Sequence, residues 1–543
     1  MSTTVEPVRA PFDVVIGGGQ VLDGTGAALI RADVGIRGDR VVAVGGLGGA
    51  ETAHRIDATG RIVAPGFVDV HSHSDFSLLA DPAAESALAQ GVTTEIVGNC
   101  GHGCAPIGPE TDERFTANIY GWAPGFRPID WTTVAGYLEA LDAAHPAINV
   151  ATLVPLGNLR LLALDDIARP ADSAGIARIS RLLDEALDQG ALGLSSGLEY
   201  PAEHAAAADE IDALCRRVAS RSRLYATHTR DRGRGVVEWT AEAVHAARAT
   251  GVRTQVSHIL ARRGSGAPEA NTMIADMLDA AVAEALPLAW DVHTRRFGIT
   301  NLSTAARPDI LALPASGRIA ALHESTAILA GPGHDTVIAS FGRAGWDRTF
   351  VLEAGPRHAE LACTSVAEVA ANAGVTPIDI LLSVLRDAVA AGDMHRPMAY
   401  ATTYTEDDIA GAVATSRCAV GSDATTMSLA GPLRDVALPG AFTWAAWFLR
   451  RLIFERHVLP LPEAIRRITS LPAHQAGLAD RGRLLPGARA DIAVLDPAAI
   501  REPGGELRPA GLATGVDHVL VNGVVAWSLG APTGARPGMV IRA

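Results

Sequence analysis

Ile62–His73 read IVAPGFVDVHSH, and this stretch decides the fold. An apolar run rich in β-branched residues predicts a buried strand. Side chains at positions i and i+2 of an extended chain point the same way, so His71 and His73 leave the strand end together. Two neutral imidazoles placed in this manner can chelate zinc. Alone, a His-x-His pair suits two polar loop residues equally well.

Short apolar runs alternate with stretches rich in Ala, Leu, Arg and Glu through most of the chain. This alternation indicates βα units around a parallel sheet. Candidate strands end near Val70, Val97, Val154, Leu194, Thr227, Ser257, Val292 and Val420. Candidate helices cover Asp172–Gln189, Glu203–Ser222, Val236–Thr250 and Thr272–Ala285. Eight such units predict an α/β fold, a (β/α)8 TIM barrel, whose chemistry sits at the carboxyl ends of its strands.

Both ends of the chain have the pattern of short β-strands separated by glycines. Examples are Val14–Ile16, Val34–Ile36, Val41–Val44, Asp491–Leu495 and Val519–Val525. We expect the two ends to pair into one small discontinuous β-sandwich. The predicted domains are the β-sandwich, from residues 8–63 and 481–543, and the catalytic barrel, residues 64–480.

The interval before the eighth strand is irregular. About 125 residues separate Val292 from Cys418, whereas a whole βα unit needs roughly 30. We therefore expect an insertion between strands 7 and 8, at about residues 293–417.

Composition narrows the class of protein. With 543 residues and 48% hydrophobic residues, the chain can fill two cores. A net charge of -14 disfavours nucleic acid as a partner, because it repels phosphate backbones and anionic lipids. The first thirty residues lack a basic start followed by an apolar core, and no apolar run reaches membrane-spanning length. The expectation is a cytoplasmic enzyme without a membrane partner.

Five scattered cysteines do not form a disulfide framework in so long a chain, so reduced thiols are expected. Cys100 follows the second strand within a Gly-Asn-Cys-Gly turn, where a thiolate is a soft ligand for zinc. A lone thiol or a disulfide with Cys104 is the alternative, although a reducing compartment disfavours the disulfide. Small buried apolar roles are expected for the other three, Cys215, Cys363 and Cys418.

Three more strand ends carry side chains suited to a metal site. His228 ends the fifth strand, His258 the sixth and Asp423 the eighth. Each has an ordinary alternative, a satisfied polar histidine or a helix N-cap. Their joint placement on one rim changes this balance, because strands one, two, five, six and eight all deliver a suitable side chain there. The predicted metal residues are His71, His73, Cys100, His228 and His258, with Asp423 beside them.

Other polar residues at or just past strand ends are candidates for substrate contact. They are Asn158, Glu199, Tyr200, Arg230 and His293. Helix capping or a structural salt bridge is the alternative for each of the first four.

With the His-x-His pair, GNCG, THTRD, SH and GSD in this order, the chain resembles the amidohydrolase superfamily. Within it the match is to the N-acyl-D-amino-acid deacylase (D-aminoacylase) family, whose members place a cysteine where many relatives have a carboxylated lysine as bridging ligand. Further similar segments are APGFVD at 64–69, QGVTT at 90–94, GLSSGLEYP at 193–201, LPA at 471–473 and ADRGRL at 479–484. The resemblance covers nearly the whole chain.

This resemblance implies hydrolysis of an amide C–N bond in a small-molecule substrate. It implies a tight zinc ion held by Cys100, His228 and His258, and a weaker or optional second metal at His71 and His73, with Cys100 able to bridge. It also implies that Asp423 is the catalytic acid/base, and that the β module is discontinuous.

Two departures from the family concern the substrate. A lysine is expected two residues after the histidine of the sixth strand, where this chain has Leu260. An arginine that grips the substrate carboxylate is expected in an HPR-type segment after GSD, where residues 424–433 read ATTMSLAGPL. A free carboxylate would then have to find Arg230, Arg262 or Arg263.

Two alternative functions follow. The substrate of the same metal centre can lack a carboxylate, as in a cyclic imide, hydantoin, carbamate or other small amide. A noncatalytic metal-binding barrel is the alternative from another class. Retention of Asp423 together with all five predicted metal residues argues against a barrel that has lost catalysis.

Overall fold

The computed structural model describes residues 12–109, 113–116, 119, 128–264, 267–306, 310, 313, 315–324, 337–394, 396–434, 440–504 and 511–543. Over these residues the strands are, in chain order, β1 Phe12–Val21, β2 Ile30–Arg37, β3 Arg40–Gly45, β4 Thr52–Asp57, β5 Ile62–Pro65, β6 Phe67–Asp69, β7 Val92–Val97, β8 Asn149–Pro155, β9 Gly193–Gly197, β10 Leu224–His228, β11 Arg253–Val256, β12 Leu288–His293, β13 Phe297–Asn301, β14 Thr349–Leu352, β15 Met398–Thr402, β16 Cys418–Gly421, β17 Ile492–Leu495, β18 Val516–Val521, β19 Val524–Ser528 and β20 Ala531–Pro532.

Eight parallel strands form a near-closed barrel in the order β6-β7-β8-β9-β10-β11-β12-β16. A seam between β16 and β6 completes the ring through a parallel bridge between Ser72 and Ala424. Across this seam Asp423 N donates to the His71 carbonyl and His73 N to the Ala424 carbonyl, both at 2.8 Å. The predicted TIM-like barrel is confirmed, and side chains at the strand ends converge on one rim.

Helices cover the outside of the barrel and the segments beyond it. They are Ser77–Ala80, Glu85–Leu88, Glu113–Thr116, Val134–Ala144, Leu156–Ala163, Ser173–Asp188, Ala208–Ser220, Val236–Thr250, Ala267–Ala283, Ala315–Ala321, Val337–Ala344, Val366–Ala373, Pro377–Ala390, Glu406–Ala414, Trp444–Trp447, Leu461–Arg467 and Ser470–Ala476, with a π-helical stretch at Phe448–Glu455. Among them no single helix is long and apolar enough to cross a membrane, and the pair Val366–Ala373 and Pro377–Ala390 qualifies only together, with a bend of 96°.

Local sequence explains the helix Ser173–Asp188. Asp172 caps its start by accepting a hydrogen bond from Gly175 N at 2.7 Å. Ile179, Leu183 and Leu187 are buried at a spacing of four residues and face the barrel. The predicted helix over Glu203–Ser222 begins later, at Ala208, because Glu203 lies in a turn and its carboxylate accepts from Gly197 N.

The two chain ends form one mixed sheet in the order β20-β19-β18-β17-β5-β1-β2-β3, with β4 paired to β1. Antiparallel pairing of β17 with β5 joins the C-terminal strands to the N-terminal ones. The predicted β module from both termini is confirmed. It differs from a set of antiparallel hairpins, because β1 pairs in parallel with both β4 and β5.

Between β12 and β16 the chain adds the antiparallel sheet β13-β15-β14. A separate apolar cluster that includes Leu302, Phe341, Leu381 and Leu385 packs there. These elements occupy the stretch in which the sequence predicts an insertion, and the domain boundaries themselves stay predictions.

A buried polar network joins the terminal sheet to the base of the barrel. The Asp491 carboxylate, just before β17, pairs with Arg481 and accepts a hydrogen bond from Asn522 N at 2.7 Å. Asn149, the first residue of β8, donates to the same carboxylate at 3.3 Å. The network therefore anchors the terminal sheet against one barrel strand.

Arg481→Met is expected to lower the free energy of unfolding by about 3–5 kcal/mol, because it leaves the buried Asp491 carboxylate without its counter-charge. The matched control is Arg248→Met. Arg248 and its partner Glu284 are each 49% exposed, so this change is expected to lower the free energy of unfolding by less than about 1 kcal/mol. Thermal denaturation at equal zinc content measures both. Equal midpoints for the two variants would contradict the proposed anchoring role.

Candidate metal centre and active site

Each of the six side chains predicted for the metal centre follows the carboxyl end of a barrel strand. His71 and His73 follow β6, Cys100 follows β7, His228 ends β10, His258 follows β11 and Asp423 follows β16. All six are buried except Asp423, whose side chain is partly accessible. The structure therefore brings together every residue of the predicted set.

Three of these residues have left-handed backbone conformations. The φ angles are 56° at Cys100, 34° at His258 and 45° at Asp423. Such conformations cost roughly 1–3 kcal/mol each for residues other than glycine and tend to cluster at functional sites. Hydrogen bonds from the backbone N–H hold two of these conformations. His258 N donates to the Asp291 carboxylate, and Asp423 N donates to the His71 carbonyl.

The Cys100 sulfur lies at the middle of the cluster. It is 3.2 Å from His71 Nε2 and 3.4 Å from His258 Nε2. Donor atoms of His71, Cys100, His258 and Asp423 all lie within 4.8 Å of one another. His73 joins them through Asp423, with its Nε2 at 3.2 Å from Oδ1. Sulfur, imidazole nitrogen and carboxylate oxygen are the donors that zinc prefers, so these residues fit a zinc site.

His228 is held from its outer side by a carboxylate. Its ring centre lies 4.5 Å from that of His258, and its Nε2 lies 2.6 Å from Glu199 Oε2. The buried Nδ1 has no hydrogen-bond partner in the described part of the chain. Such carboxylate contacts fix the tautomer and orientation of a metal-ligating histidine. The arrangement leaves Nδ1 of His228 as the nitrogen available to a metal.

Glu199 is in turn paired with Arg262. The two guanidinium nitrogens of Arg262 donate to its two oxygens at 2.6 and 2.9 Å. Burial opposes ionisation of Glu199, but Arg262 and then His228 hold the pKa of this carboxyl well below its usual range. Glu199, one of the predicted substrate contacts, thus supports His228 as a permanent anion.

Asp291 has the corresponding role for His71. Its Oδ1 lies 3.1 Å from His71 Nδ1 and accepts from His258 N at 2.8 Å. This contact directs His71 Nε2 toward Cys100. Asp291 was not predicted, although a buried carboxylate among the apolar residues of β12 was a usable signal.

Electrostatics in the cluster favour charged donors. Burial opposes ionisation of the Cys100 thiol, but His71 and His258 lower its pKa well below the usual range. Burial likewise opposes protonation of His73, but Asp423 and Cys100 raise its pKa to about 9. A bound cation would replace the imidazole protons in balancing the thiolate.

Asp423 is paired with Arg295, which the sequence analysis also missed. Arg295 donates to Asp423 Oδ2 at 2.6 Å and to the Ser422 carbonyl at 2.9 Å. Burial works against ionisation, but Arg295 and His73 keep the pKa of Asp423 well below its usual range. Asp423 is therefore a carboxylate in this arrangement, which suits it to accept a proton.

The other predicted substrate contacts divide into two groups. Tyr200 and His293 line the cluster, with ring centres 4.8 Å from His228 and 6.4 Å from His258, respectively. Asn158 donates to the carbonyls of Gly103 and Pro106, and Arg230 pairs with Glu242 and two backbone carbonyls. Arg230 thus forms the structural salt bridge that was its alternative, whereas the Asn158 amide is bonded to backbone carbonyls.

Of the arginines considered for a substrate carboxylate, Arg262 already has a carboxylate partner. Arg262 is paired with Glu199, and Arg263 is exposed. Cys100 and Cys104 are both free thiols, so the structure forms no disulfide between them. Tyr404 also went unpredicted; its buried hydroxyl has no hydrogen-bond partner among the described residues, and its ring centre lies 5.5 Å from that of His293.

Comparison with known proteins gives consistent matches over the whole chain. A family model described as the amidohydrolase family matches residues 55–526. N-acyl-D-glutamate deacylase of Alcaligenes xylosoxydans xylosoxydans is 32% identical over 537 residues, which is 98% of this chain and 97% of that protein.

The fold of this chain is similar to those of two solved structures. The crystal structure of N-acyl-D-glutamate deacylase from Bordetella bronchiseptica, complexed with zinc and a phosphonate inhibitor, has a TM-score of 0.80 at 30% identity. A D-aminoacylase structure described with a binuclear metal centre has a TM-score of 0.79 at 30% identity. Each match covers 98% of this chain and 100% of the other.

Cys100→Ala is expected to remove the metal, because the sulfur is the donor shared by the imidazoles around it. Removing a residue that only hydrogen-bonds to a metal ligand typically lowers metal affinity by about 10–100-fold. Removing the ligand itself is expected to lower zinc affinity by more than this. Metal content after dialysis against a chelator measures it. Cys363→Ala, an exposed free thiol, is the control. Full zinc retention by Cys100→Ala would show that the sulfur is not a ligand.

Proposed function

The chain belongs to the amidohydrolase family, in the group of the D-aminoacylases and N-acyl-D-amino-acid deacylases, and from this we propose that it is a zinc-dependent deacylase. The proposed substrate is an N-acyl-D-amino acid or a related N-acyl amine. The relatives at about 30% identity support the substrate class, and the donor chemistry around Cys100 supports zinc.

One observation carries the proposal. A thiol, two imidazoles and a carboxylate present their donor atoms within 4.8 Å of one another at the carboxyl end of a TIM-like barrel. In characterised TIM-barrel enzymes this face holds the active site. In the proposed assignment Cys100, His228 and His258 hold the tight zinc ion, and His71 and His73 hold a weaker second metal.

When bound, zinc supplies a water that is acidic near neutral pH and a Lewis acid for the scissile carbonyl. The residues of this chain perform the proton transfers. Asp423 accepts the proton of the attacking water and returns it to the leaving nitrogen as the C–N bond breaks, which gives a carboxylic acid and an amine. Arg295, at 2.6 Å, orients the Asp423 carboxylate and keeps it ionised before attack.

Asp423→Asn is expected to keep zinc and to lower kcat by about 10²–10⁴-fold, since an amide of the same shape cannot carry the proton. Zinc content, thermal midpoint and turnover are measured on the same preparation. Asp188→Asn, whose carboxylate is 70% exposed, is the matched control and should leave turnover unchanged. A rate near that of the wild type for Asp423→Asn would refute the acid/base role.

A substrate panel tests the proposed class. N-acetyl-D-amino acids, their L enantiomers, the corresponding neutral amides and a hydantoin are compared by kcat/KM on the zinc-loaded enzyme. We expect turnover of the D compounds to exceed that of the others, because relatives at 32% and 30% identity are named N-acyl-D-glutamate deacylase and D-aminoacylase. Turnover confined to neutral amides or the hydantoin would replace this proposal with a substrate that lacks a free carboxylate. Leu260 in place of a lysine, and the absence of an HPR-type segment after Asp423, favour that alternative.

A further inference from the structure

Within the described part of the chain, one buried arginine differs from the rest. Six arginine side chains are buried there, Arg160, Arg232, Arg262, Arg295, Arg467 and Arg481. Five of them pair with a carboxylate, namely Glu210 for Arg160, Glu199 for Arg262, Asp423 for Arg295, Glu463 for Arg467 and Asp491 for Arg481. Arg232 is 5% exposed and has no such partner among the described residues.

Arg232 lies at the metal centre. It follows His228 by four residues, and its Nη1 donates to the His258 carbonyl at 3.1 Å. Its Nε is buried without a hydrogen-bond partner in the described residues. Burial and then the charge of Arg232 lower the pKa of His258 to about 3, and the same charge acts on His293 and Tyr200. The hydrogen bond to the His258 carbonyl places the guanidinium beside a predicted metal ligand.

An unpaired guanidinium in such a place is energetically costly. A buried charge needs a counter-charge or several hydrogen bonds, and arginine does not relieve the cost by losing its proton. Arg232 has one described hydrogen bond, to a neutral carbonyl. The planar donor fork of arginine matches a carboxylate, which it binds through two parallel hydrogen bonds. An anionic ligand beside the metal would supply the missing counter-charge.

We propose that Arg232 binds a free carboxylate of the substrate and so selects N-acyl amino acids over neutral amides. This inference rests on the proposed function and names the residue that recognises its substrate. It provides a cation in place of the two expected from the resemblance, since position 260 is leucine and the first arginine after Asp423, Arg434, is exposed. Arg262 and Arg295, the other buried arginines at the centre, already have carboxylate partners.

The first test compares Arg232→Met and Arg232→Lys with the wild type, all zinc-loaded, on N-acetyl-D-alanine and N-acetyl-D-alaninamide. Arg232→Met is expected to lower kcat/KM for the acid about 10–100-fold, mainly through KM, because a charge-assisted pair is lost. The value for the amide should fall by a clearly smaller factor, because the amide has no carboxylate to lose its partner. Arg232→Lys should recover part of the loss, since it keeps the charge without the fork.

The control is Arg216→Met, an arginine that is 58% exposed on an outer helix and should change neither substrate. Zinc content and thermal midpoint establish that each variant is folded and loaded. An equal fall for acid and amide would assign Arg232 a purely structural role and overturn the inference. No change for N-acetyl-D-alanine, together with no change for the α-amide of N-acetyl-D-glutamate described below, would overturn it as well.

A third substrate separates the two possible positions of the carboxylate. The α-amide of N-acetyl-D-glutamate keeps only the side-chain carboxylate, and N-acetyl-D-alanine keeps only the α-carboxylate. Loss confined to N-acetyl-D-alanine in Arg232→Met assigns Arg232 to the α-carboxylate. Loss confined to the glutamate α-amide assigns it to an acidic side chain. Either result supports carboxylate recognition. If Arg232→Met hydrolyses both substrates as well as the wild type does, carboxylate recognition is contradicted.

Binding measurements distinguish failure of this inference from failure of the proposed function. Calorimetry on zinc-loaded Asp423→Asn compares N-acetyl-D-alanine with its amide, with and without Arg232→Met. If the wild type hydrolyses only neutral amides but the acid binds more tightly and depends on Arg232, the proposed function fails and carboxylate recognition stands. If the protein with Arg232 intact binds N-acetyl-D-alanine and the α-amide of N-acetyl-D-glutamate no more tightly than N-acetyl-D-alaninamide, the inference is overturned, whatever the turnover.

Discussion

Charge balance in a largely buried site constrains this molecule more than any other interaction. A thiol, imidazoles and a carboxylate lie within a few ångströms of one another at the rim of the barrel. Proximity to His71 and His258 favours the Cys100 thiolate, and Arg295 favours the Asp423 anion. Negative donors this close are compatible only if cations lie between them. A metal ion meets this requirement, and carboxylates behind the ligands, Asp291 and Glu199, set their orientation.

The sequence predicted those features of the fold that depend on local periodicity. Strand ends such as Val97 and Val292 lie within one residue of the observed ends, because apolar runs in a parallel barrel are buried on both faces. The register of a TIM barrel then brings all strand ends to one rim, so His71, Cys100 and Asp423 could be grouped without coordinates. Parallel pairing of β1 with β4 escaped prediction, since strand pairing depends on contacts distant in sequence.

Arginine roles were the part that sequence reasoning could not assign. Arg230 and Arg232 follow the end of β10, and Arg262 follows the end of β11. Residue type and position in the sequence therefore do not distinguish their roles. Their partners are set by loop conformation: Arg230 meets Glu242, Arg262 meets Glu199, and Arg232 meets only a carbonyl. An arginine can be interpreted only when its surrounding carboxylates are located, and the loops that carry these three arginines have no periodic pattern.

The seam that completes the barrel determines when this enzyme can first become competent. His73 and Asp423 are 350 positions apart, and the hydrogen bonds that join β6 to β16 run through the same residues that form the centre. A ribosome releases the first strand long before the last, so the growing chain contains histidines and a thiol but no complete centre. Closure of the ring and completion of the centre depend on the same residues, so a chain that has not yet added β16 lacks a complete centre.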